Sequence, residues 1–171
     1  MYQLSWYAVQ TRSNCEKKVG SALAEKGIEH YLPAFREIHQ WKDRKKVVEQ
    51  PLFPGYLFTH MLDCRESRLA VLCSGGVVGI LGNSETIEAV PDSEIEAVRR
   101  LLDANGHCQT HPLLREGAWV RIKRGPLKNL QGRLLRVKNQ TRFVLSISLL
   151  SKSVSAEVDA SDVQFLRSMN H

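Results

Sequence analysis

A segment rich in turn-forming residues, Asp103 to Gly117 (DANGHCQTHPLLREG), divides the chain of 171 residues into two parts. It contains Asn-Gly and His-Pro pairs and ends in glycine, and its low apolar periodicity is typical of a linker. Lys and Arg number 13 against 14 Asp and Glu up to residue 103, and 11 against 4 beyond it. The excess positive charge therefore belongs to the second part. We predict two small domains, residues 1–103 and 117–171, joined by a linker at residues 104–116.

The first domain combines strand and helix patterns. The strand-like alternation of WYAVQT precedes a helical pattern, in which Ser13 or Asn14 can cap the start and Gly27 ends the helix. The later segments are two extended stretches, a helix, a strand and a helix: IEHYLPAFREI, VVEQPLFPGYLFTHM, CRESRLAVLCS, GGVVGILG and VPDSEIEAVRRLLD. This order predicts an α+β domain, in which helices cover one face of a mostly antiparallel sheet.

The motif LFPGYLF, Leu52 to Phe58, carries more apolar residues than one face of a strand usually holds. Alternate residues of a strand share a face, so Leu52, Tyr56 and Phe58 lie together and the residues between them point to the other side. One face can be core and the other a docking surface, or both faces can be core.

The second domain consists of short alternating segments separated by Gly, Pro and Asn-Gln turns. They are AWVRIKRG, QGRLLRVKNQ, RFVLSISLL, SVSAEV and DVQFL. Strands of this length and number predict a small all-β barrel. In the first of them, Val120 and Ile122 share one face while Arg121 and Lys123 share the other, which predicts a basic outer surface.

Nine basic residues and one acid lie between Arg115 and Arg142. This density is typical of a surface that binds a polyanion such as nucleic acid. A solvated face that keeps the protein soluble would have the same composition, and the charge alone does not separate the two interpretations.

A resemblance to a known family rests on these same segments. The stretch REGAWVRIKRGPLKNLQGRLLRV resembles a KOW motif, with Gly125-Pro126 at a turn and Gly132 before the next strand. Together with WYAVQT, EKKV, PLFPGYLF, GGVVGILG and VPDSEIEAV, in that order, it makes nearly the whole chain resemble the NusG family of transcription elongation factors. The resemblance implies an NGN domain followed by an SH3-like KOW barrel. The segment EQPLFPGYLF and the short chain length resemble those of the specialised RfaH-like members.

The resemblance implies a site for RNA polymerase on the first domain. In the family, an aromatic patch binds the paired clamp helices of the largest polymerase subunits, and Tyr56 and Phe58 match it, with Leu81 and Val98 as flanks. A bound factor that disfavours clamp opening would suppress pausing and termination. We expect Tyr56 and Phe58 to be exposed if they bind a partner, and core residues otherwise.

The resemblance also implies contacts with nucleic acid. Arg12 and Lys18 match positions that face the non-template DNA strand in RfaH-like proteins, and Lys17 can assist them through phosphate contacts. A solvated helix face is the alternative for all three. The His-Thr-Thr run that specialised relatives use against the opposite polymerase lobe is absent, and ESRLA, Glu66 to Ala70, stands in its place.

A second partner is implied for the KOW barrel. Leu149 and Leu150 match the loop that recruits a ribosomal protein or the termination factor Rho, although one of the two can instead face the core. The barrel cations can bind nascent or ribosomal RNA: Arg121, Lys123, Arg124, Lys128, Arg133, Arg136, Lys138 and Arg142. Some specialised relatives refold this domain into a helical hairpin, but the β-branched segments here predict a stable barrel.

We predict no catalysis, cofactor or metal. The cluster His107, Cys108 and His111 lacks a suitably spaced fourth ligand, and no phosphate-binding glycine loop is present. The four cysteines lack metal or disulfide spacing, and we find no signal peptide or membrane span, so we expect a cytoplasmic monomer with reduced thiols. A ribosome-associated or RNA-binding KOW protein acting in translation is the alternative function. Such a protein has no use for an exposed Tyr56 and Phe58.

Overall fold

The structure is a computed structural model that describes residues 3–83, 86–104, 109–112, 117–137, 140–147, 150 and 152–166. The chain divides into two compact units, Met1–Ala34 with Pro51–Ile95, and Phe35–Gln50 with Glu96–His171. The boundaries predicted from the sequence, at residues 103 and 117, stay a prediction.

The first half of the chain alternates strands and helices. Its elements are β1 (Leu4–Thr11), α1 (Glu16–Glu25), β2 (Glu29–Tyr31), β3 (Ala34–Trp41), β4 (Arg44–Pro51), β5 (Tyr56–Leu62), α2 (Arg65–Leu72), β6 (Val77–Ile80), β7 (Ala89–Val90) and α3 (Asp92–Ala104). The first sheet is antiparallel with the order β2-β5-β1-β6, and β7 also pairs with β1. The predicted α+β class is confirmed.

Strand β5 is buried on both faces, which accounts for the two apolar faces of its sequence. On one face Leu57 and Met61 belong to a core cluster with residues of α1 and α2, among them Leu23 and Val71. On the other face Phe58 is 0% exposed. At Phe58, the second apolar face of LFPGYLF is therefore core as well.

Helix α1 does not use the predicted side-chain cap. Its N-cap residue is Cys15, and no side chain makes a capping hydrogen bond there. Asn14 instead adopts a left-handed conformation with φ of 61°, which asparagine tolerates better than most residues. The turn closes through the backbone, where the Cys15 N–H donates to the Arg12 carbonyl at 3.1 Å. Gly27, with φ of 69°, follows the helix as predicted.

Strands β3 and β4 pair with each other in a two-stranded sheet. They form the charged tip predicted from the segment HQWKDRKK, with a turn at Lys42 and Asp43. Three large apolar side chains on this hairpin are exposed: Ile38, Trp41 and Val47.

The second sheet is all antiparallel and contains one strand more than predicted. Its strands are β8 (Gln109–Pro112), β9 (Ala118–Ile122), β10 (Gln131–Val137), β11 (Gln140–Ile147), β12 (Lys152–Glu157) and β13 (Val163–Phe165), and a short 3-10 helix (Ala160–Asp162) precedes the last. The order is β13-β9-β10-β11-β12-β8. The five predicted strands are present. The sixth, β8, lies in the expected linker, because an edge strand needs only backbone pairing and accepts a terminal proline.

The core of the second sheet follows the predicted alternation. Val120 and Ile122 of β9 are buried, whereas Arg121 between them is exposed. Across the sheet, Phe143 and Val154 are fully buried. Leu150 is only 6% exposed, so of the two adjacent leucines this one points inward.

In the part of the chain that the structure describes, no helix combines the length and the apolar character needed to cross a membrane.

Candidate functional site

The Pro54-Gly55 turn before β5 is held by hydrogen bonds from two other elements. Gly55 has φ of 83°, a conformation that favours glycine. Its N–H donates to the Glu16 carboxylate of α1 at 2.7 Å, and its carbonyl accepts the Thr11 N–H at 2.8 Å. Glu16 itself is 5% exposed. The residue that follows this turn, Tyr56, therefore starts from a fixed backbone.

Tyr56 and Leu81 lie on one face of the first sheet, on opposite sides of β1. Tyr56 pairs with Gln10, while the Leu81 N–H donates to the Ala8 carbonyl at 2.8 Å. Because two strand spacings and an offset of two residues along β1 separate them, their backbones are about 12 Å apart. Both side chains are half-buried, so each presents part of its surface to solvent.

The other two residues expected in this patch are not at the surface. Phe58 and Val98 are both 0% exposed. Phe58 makes an edge-to-face contact with Phe53 at 6.2 Å between ring centroids, and stacks on Tyr31 at 6.4 Å. The expectation that Tyr56 and Phe58 are exposed together is thus wrong for Phe58. The physical reason is that β5 is a central strand with two buried faces, where alternation does not identify an outer one.

The same face continues into residues that the sequence pattern did not single out. Leu4 and Leu62 are directly opposite each other in β1 and β5 and are 52% and 43% exposed. One step along, Trp6 stacks on His60 with 4.7 Å between ring centroids, and the His60 ring lies 2.7 Å from the Glu29 carboxylate. An alternation count along LSWYAVQT would have placed Leu4 and Trp6 on one face with Ala8.

The three cations expected to meet DNA cluster around the start of α1. Arg12, Lys17 and Lys18 are all exposed, and they flank the buried Glu16. The Arg12 backbone is fixed by its N–H, which donates to the Gly76 carbonyl at 2.8 Å. The Arg12 side chain therefore extends from a fixed backbone.

The segment ESRLA lies in α2. The Arg68 side chain there bonds to the Asp63 carboxylate just before the helix, and this bond raises the pKa of Arg68. Leu69, one residue on, is 49% exposed.

The cations expected on the second sheet are exposed: Arg121, Lys123, Arg124 and Lys128. Arg124 forms an ion pair with Asp162 at 3.2 Å. Nearby, hydrogen bonds from Ser161 lower the pKa of Asp159. The backbone of the turn containing Lys128 is anchored by Arg100 of α3, whose Nη2 donates to the Lys128 carbonyl at 2.6 Å.

Several of the remaining residues expected in functional sites are either buried or outside the described residues. Leu150 is buried and does not present a surface for a partner, because it packs inward immediately before β12. Leu149, Lys138, His107 and Cys108 lie outside the described residues. Within the described ranges, no cluster of three potential metal ligands occurs.

We expect Glu16→Ala to loosen the turn that carries Tyr56. The substitution leaves the Gly55 N–H without its carboxylate acceptor, which costs about 1–3 kcal/mol for a buried group. Urea unfolding should show this loss, and the Gly55 amide should exchange faster with solvent. Lys17→Ala, an exposed neighbour on the same helix, should change neither. Unaltered exchange at Gly55 in Glu16→Ala would show that the carboxylate does not hold the turn.

Comparisons with known proteins show which family the sequence resembles. The family described as "Transcription termination factor nusG" matches residues 4–99, more than half of the chain. The "Transcription termination/antitermination protein NusG" of Rickettsia conorii is 25% identical over 170 residues, covering 93% of this chain and 88% of the relative. The protein of that name from Escherichia coli K12 is 25% identical over 171 residues, covering 93% and 94%.

A solved structure described as "Domain interaction in Thermotoga maritima NusG" has a similar fold. It matches with a TM-score of 0.60 and 21% identity, covering 95% of this chain and 97% of that chain. This likeness agrees with an α+β domain followed by an all-β domain. Since the family model covers more than half of the sequence, the chain belongs to the NusG family.

Proposed function

We propose that this protein is a transcription elongation factor that binds RNA polymerase and suppresses pausing and termination. Its bacterial relatives are named as termination and antitermination proteins, and the match extends through both halves of the chain. The observation that carries the proposal is the half-buried Tyr56, which the Glu16–Gly55 hydrogen bond holds in place on a partly apolar sheet face.

The binding surface differs from the one first expected. Phe58 and Val98 support the protein from within, so the contact is assigned to Tyr56 and Leu81. The exposed pair Leu4 and Leu62 lies on the same face of the sheet, beyond the buried Phe58 and Trp6. An apolar face with an amphipathic tyrosine suits a helical partner, such as the paired clamp helices of the polymerase.

Suppression of pausing would follow if the bound protein also reached the opposite lobe of the polymerase, because a factor that held the clamp alone would bind its open and closed forms equally. A rigid unit that bridges the clamp and the opposite lobe adds its binding free energy to the closed clamp and not to the open one, which shifts the equilibrium toward the closed form. Arg12, Lys17 and Lys18 add phosphate contacts to the non-template strand without reading its sequence. No catalytic group is required for this activity.

The second sheet is proposed to recruit a further partner. Leu150 no longer contributes, so the apolar contact falls to Leu149. A ribosomal protein, Rho or RNA as that partner stays a prediction, as does an RfaH-like specialisation. A role in bacterial transcription would place the protein in the cytoplasm.

Binding to a reconstituted elongation complex of bacterial RNA polymerase tests the proposal. Tyr56→Ala combined with Leu81→Ala should weaken the binding of the full-length protein about 30-fold or more, since an interface anchor contributes about 2 kcal/mol. Leu72→Ala, which removes a 44% exposed leucine from α2, serves as the matched control and should bind normally.

Two outcomes would contradict this assignment. Unchanged binding by the double variant would remove the contact from this face. Failure of the wild-type protein to bind polymerase, together with binding to ribosomal RNA, would instead favour the alternative role in translation.

A further inference from the structure

An exposed tryptophan and an arginine form a pair on the second sheet. Trp119 of β9 is 46% exposed, and Arg133 of β10 is directly opposite it in the strand register. The guanidinium carbon of Arg133 lies 5.0 Å from the centre of the Trp119 ring. This distance is typical of a cation–π contact, which holds both planar groups in a defined orientation. A second bond, from the Arg133 Nη1 to the Gly117 carbonyl at 3.2 Å, fixes the arginine further.

The pair lies on the outer face of the sheet, beside further polar groups. Val120 and Ile122, which alternate with Trp119 in β9, are buried, so Trp119 and Arg121 point away from the core. Arg121 pairs with Gln131 on one side and Gln164 on the other. These residues share the face of Trp119, because residues directly opposite in antiparallel strands lie on the same side.

Arg121, Gln131 and Gln164 are all exposed. Trp119 and Arg121 are two residues apart on one strand, a separation of about 7 Å. A planar ring group that stacks on Trp119 therefore has a cation within reach of any phosphate attached to it. The two glutamine amides can donate and accept hydrogen bonds beside it.

An exposed tryptophan ring beside a cation and two amides favours one class of polyanion over the others. An acidic peptide would use the arginines but would gain little from an exposed tryptophan ring. A nucleic-acid duplex offers phosphates but keeps its base faces stacked on one another. A single strand offers both unstacked bases and phosphates, and base stacking on aromatic side chains is the usual mode of recognition for single-stranded RNA.

We propose that the outer face around Trp119 binds single-stranded RNA, with one base stacked on Trp119 and its phosphate on Arg121. The choice of RNA rests on the proposed function, because transcription releases RNA as a free single strand. The amides of Gln131 and Gln164 give RNA a further advantage, since they can bond to the ribose 2′-hydroxyl that DNA lacks. The net positive charge of the second half of the chain raises the rate of encounter.

Fluorescence anisotropy of a labelled short oligouridine with the full-length protein, in the absence of polymerase, tests the proposal. We expect Trp119→Ala to weaken binding about tenfold or more, the usual effect of losing one stacked base. Trp119→Phe should restore most of the affinity, since it keeps an aromatic face. Trp41→Ala removes an equally large tryptophan that is 65% exposed on the β3–β4 hairpin, and it should bind as wild type. Arg121→Gln should reduce the salt dependence of binding by about one released counterion.

Several results would overturn the proposal. Wild-type affinity in Trp119→Ala, with thermal melting unchanged, would remove the stacking site. Equal affinity for an RNA duplex or for polyglutamate would show that the surface binds polyanions in general and does not select single-stranded RNA. Binding of oligodeoxythymidine as tight as that of oligouridine would remove the assignment to RNA. Polymerase is absent from this assay, and the clamp assay is decided by Tyr56→Ala with Leu81→Ala, which leaves the Trp119 face intact, so the failure of either proposal is recognisable separately.

Discussion

Replacement of Phe58 by alanine is expected to destabilise the protein by about 3–5 kcal/mol. Phe58 is completely buried in the central strand β5, in contact with Phe53 and Tyr31, so the substitution leaves a cavity between these two rings. A loss of this magnitude is a large fraction of the stability of a small domain. Urea unfolding followed by circular dichroism would measure it.

The matched control is Leu62→Ala, four residues further on the same strand and face but 43% exposed. It should cost less than about 1 kcal/mol, because much of its side chain is already in contact with water. If Phe58→Ala kept the stability of the wild type while it lost polymerase binding, Phe58 would have to be an exposed contact residue after all.

This expectation changes how a loss of polymerase binding should be interpreted. A variant that lacks both Tyr56 and Phe58 would lose binding through unfolding as readily as through loss of a contact. Tyr56 and Leu81 are half-buried, so their replacement separates the two effects. The assignment of the site therefore depends on keeping Phe58 intact.

The fold could be predicted from the sequence largely because its elements carry strong local patterns. The alternation of Val120 and Ile122 with Arg121 identified both the strand and its buried face. Strand β8 was missed because its sequence, QTHP, has no apolar pattern, and only its pairing with β12 makes it a strand. An apolar pattern indicates which side chains are buried. An edge strand is instead held by backbone hydrogen bonds, which do not require a particular type of side chain.

The candidate site was harder to predict, because its geometry depends on long-range contacts. The bond between Glu16 and the Gly55 N–H joins residues 39 positions apart, and nothing local marks Glu16 as buried. For Phe58, the strand pattern favoured the core, whereas the family resemblance favoured an exposed contact. The pair Leu149 and Leu150 was similar: the sequence excluded only that both face the core, and the structure shows that Leu150 is buried.

Gly132→Ala is expected to destabilise the second sheet by about 3 kcal/mol or more, the upper end of overpacking penalties. A Cβ atom at this position would lie 2.4 Å from the Val144 carbonyl oxygen and 2.7 Å from the Phe143 ring. The oxygen belongs to the backbone of β11, so it cannot move aside as a flexible side chain would. Strands β10 and β11 would have to separate, and their ladder of hydrogen bonds would weaken. Urea unfolding, with amide exchange in β10 and β11, would measure the effect.

Gly125→Ala is the matched control, because its expected loss of stability comes from backbone strain and not from a steric clash. Gly125 has φ of 83°, and among the described residues other than its chain neighbours no atom lies within 4 Å of the position that a methyl group would take. Alanine there therefore meets only the backbone strain of about 1–2 kcal/mol. If Gly132→Ala were no more destabilising than Gly125→Ala, close packing would not explain the glycine at position 132. A larger loss in Gly132→Ala would mean that this position requires glycine for the approach of β11, and that the Trp119 face depends on it, because Gly132 separates Gln131 from Arg133 on that strand.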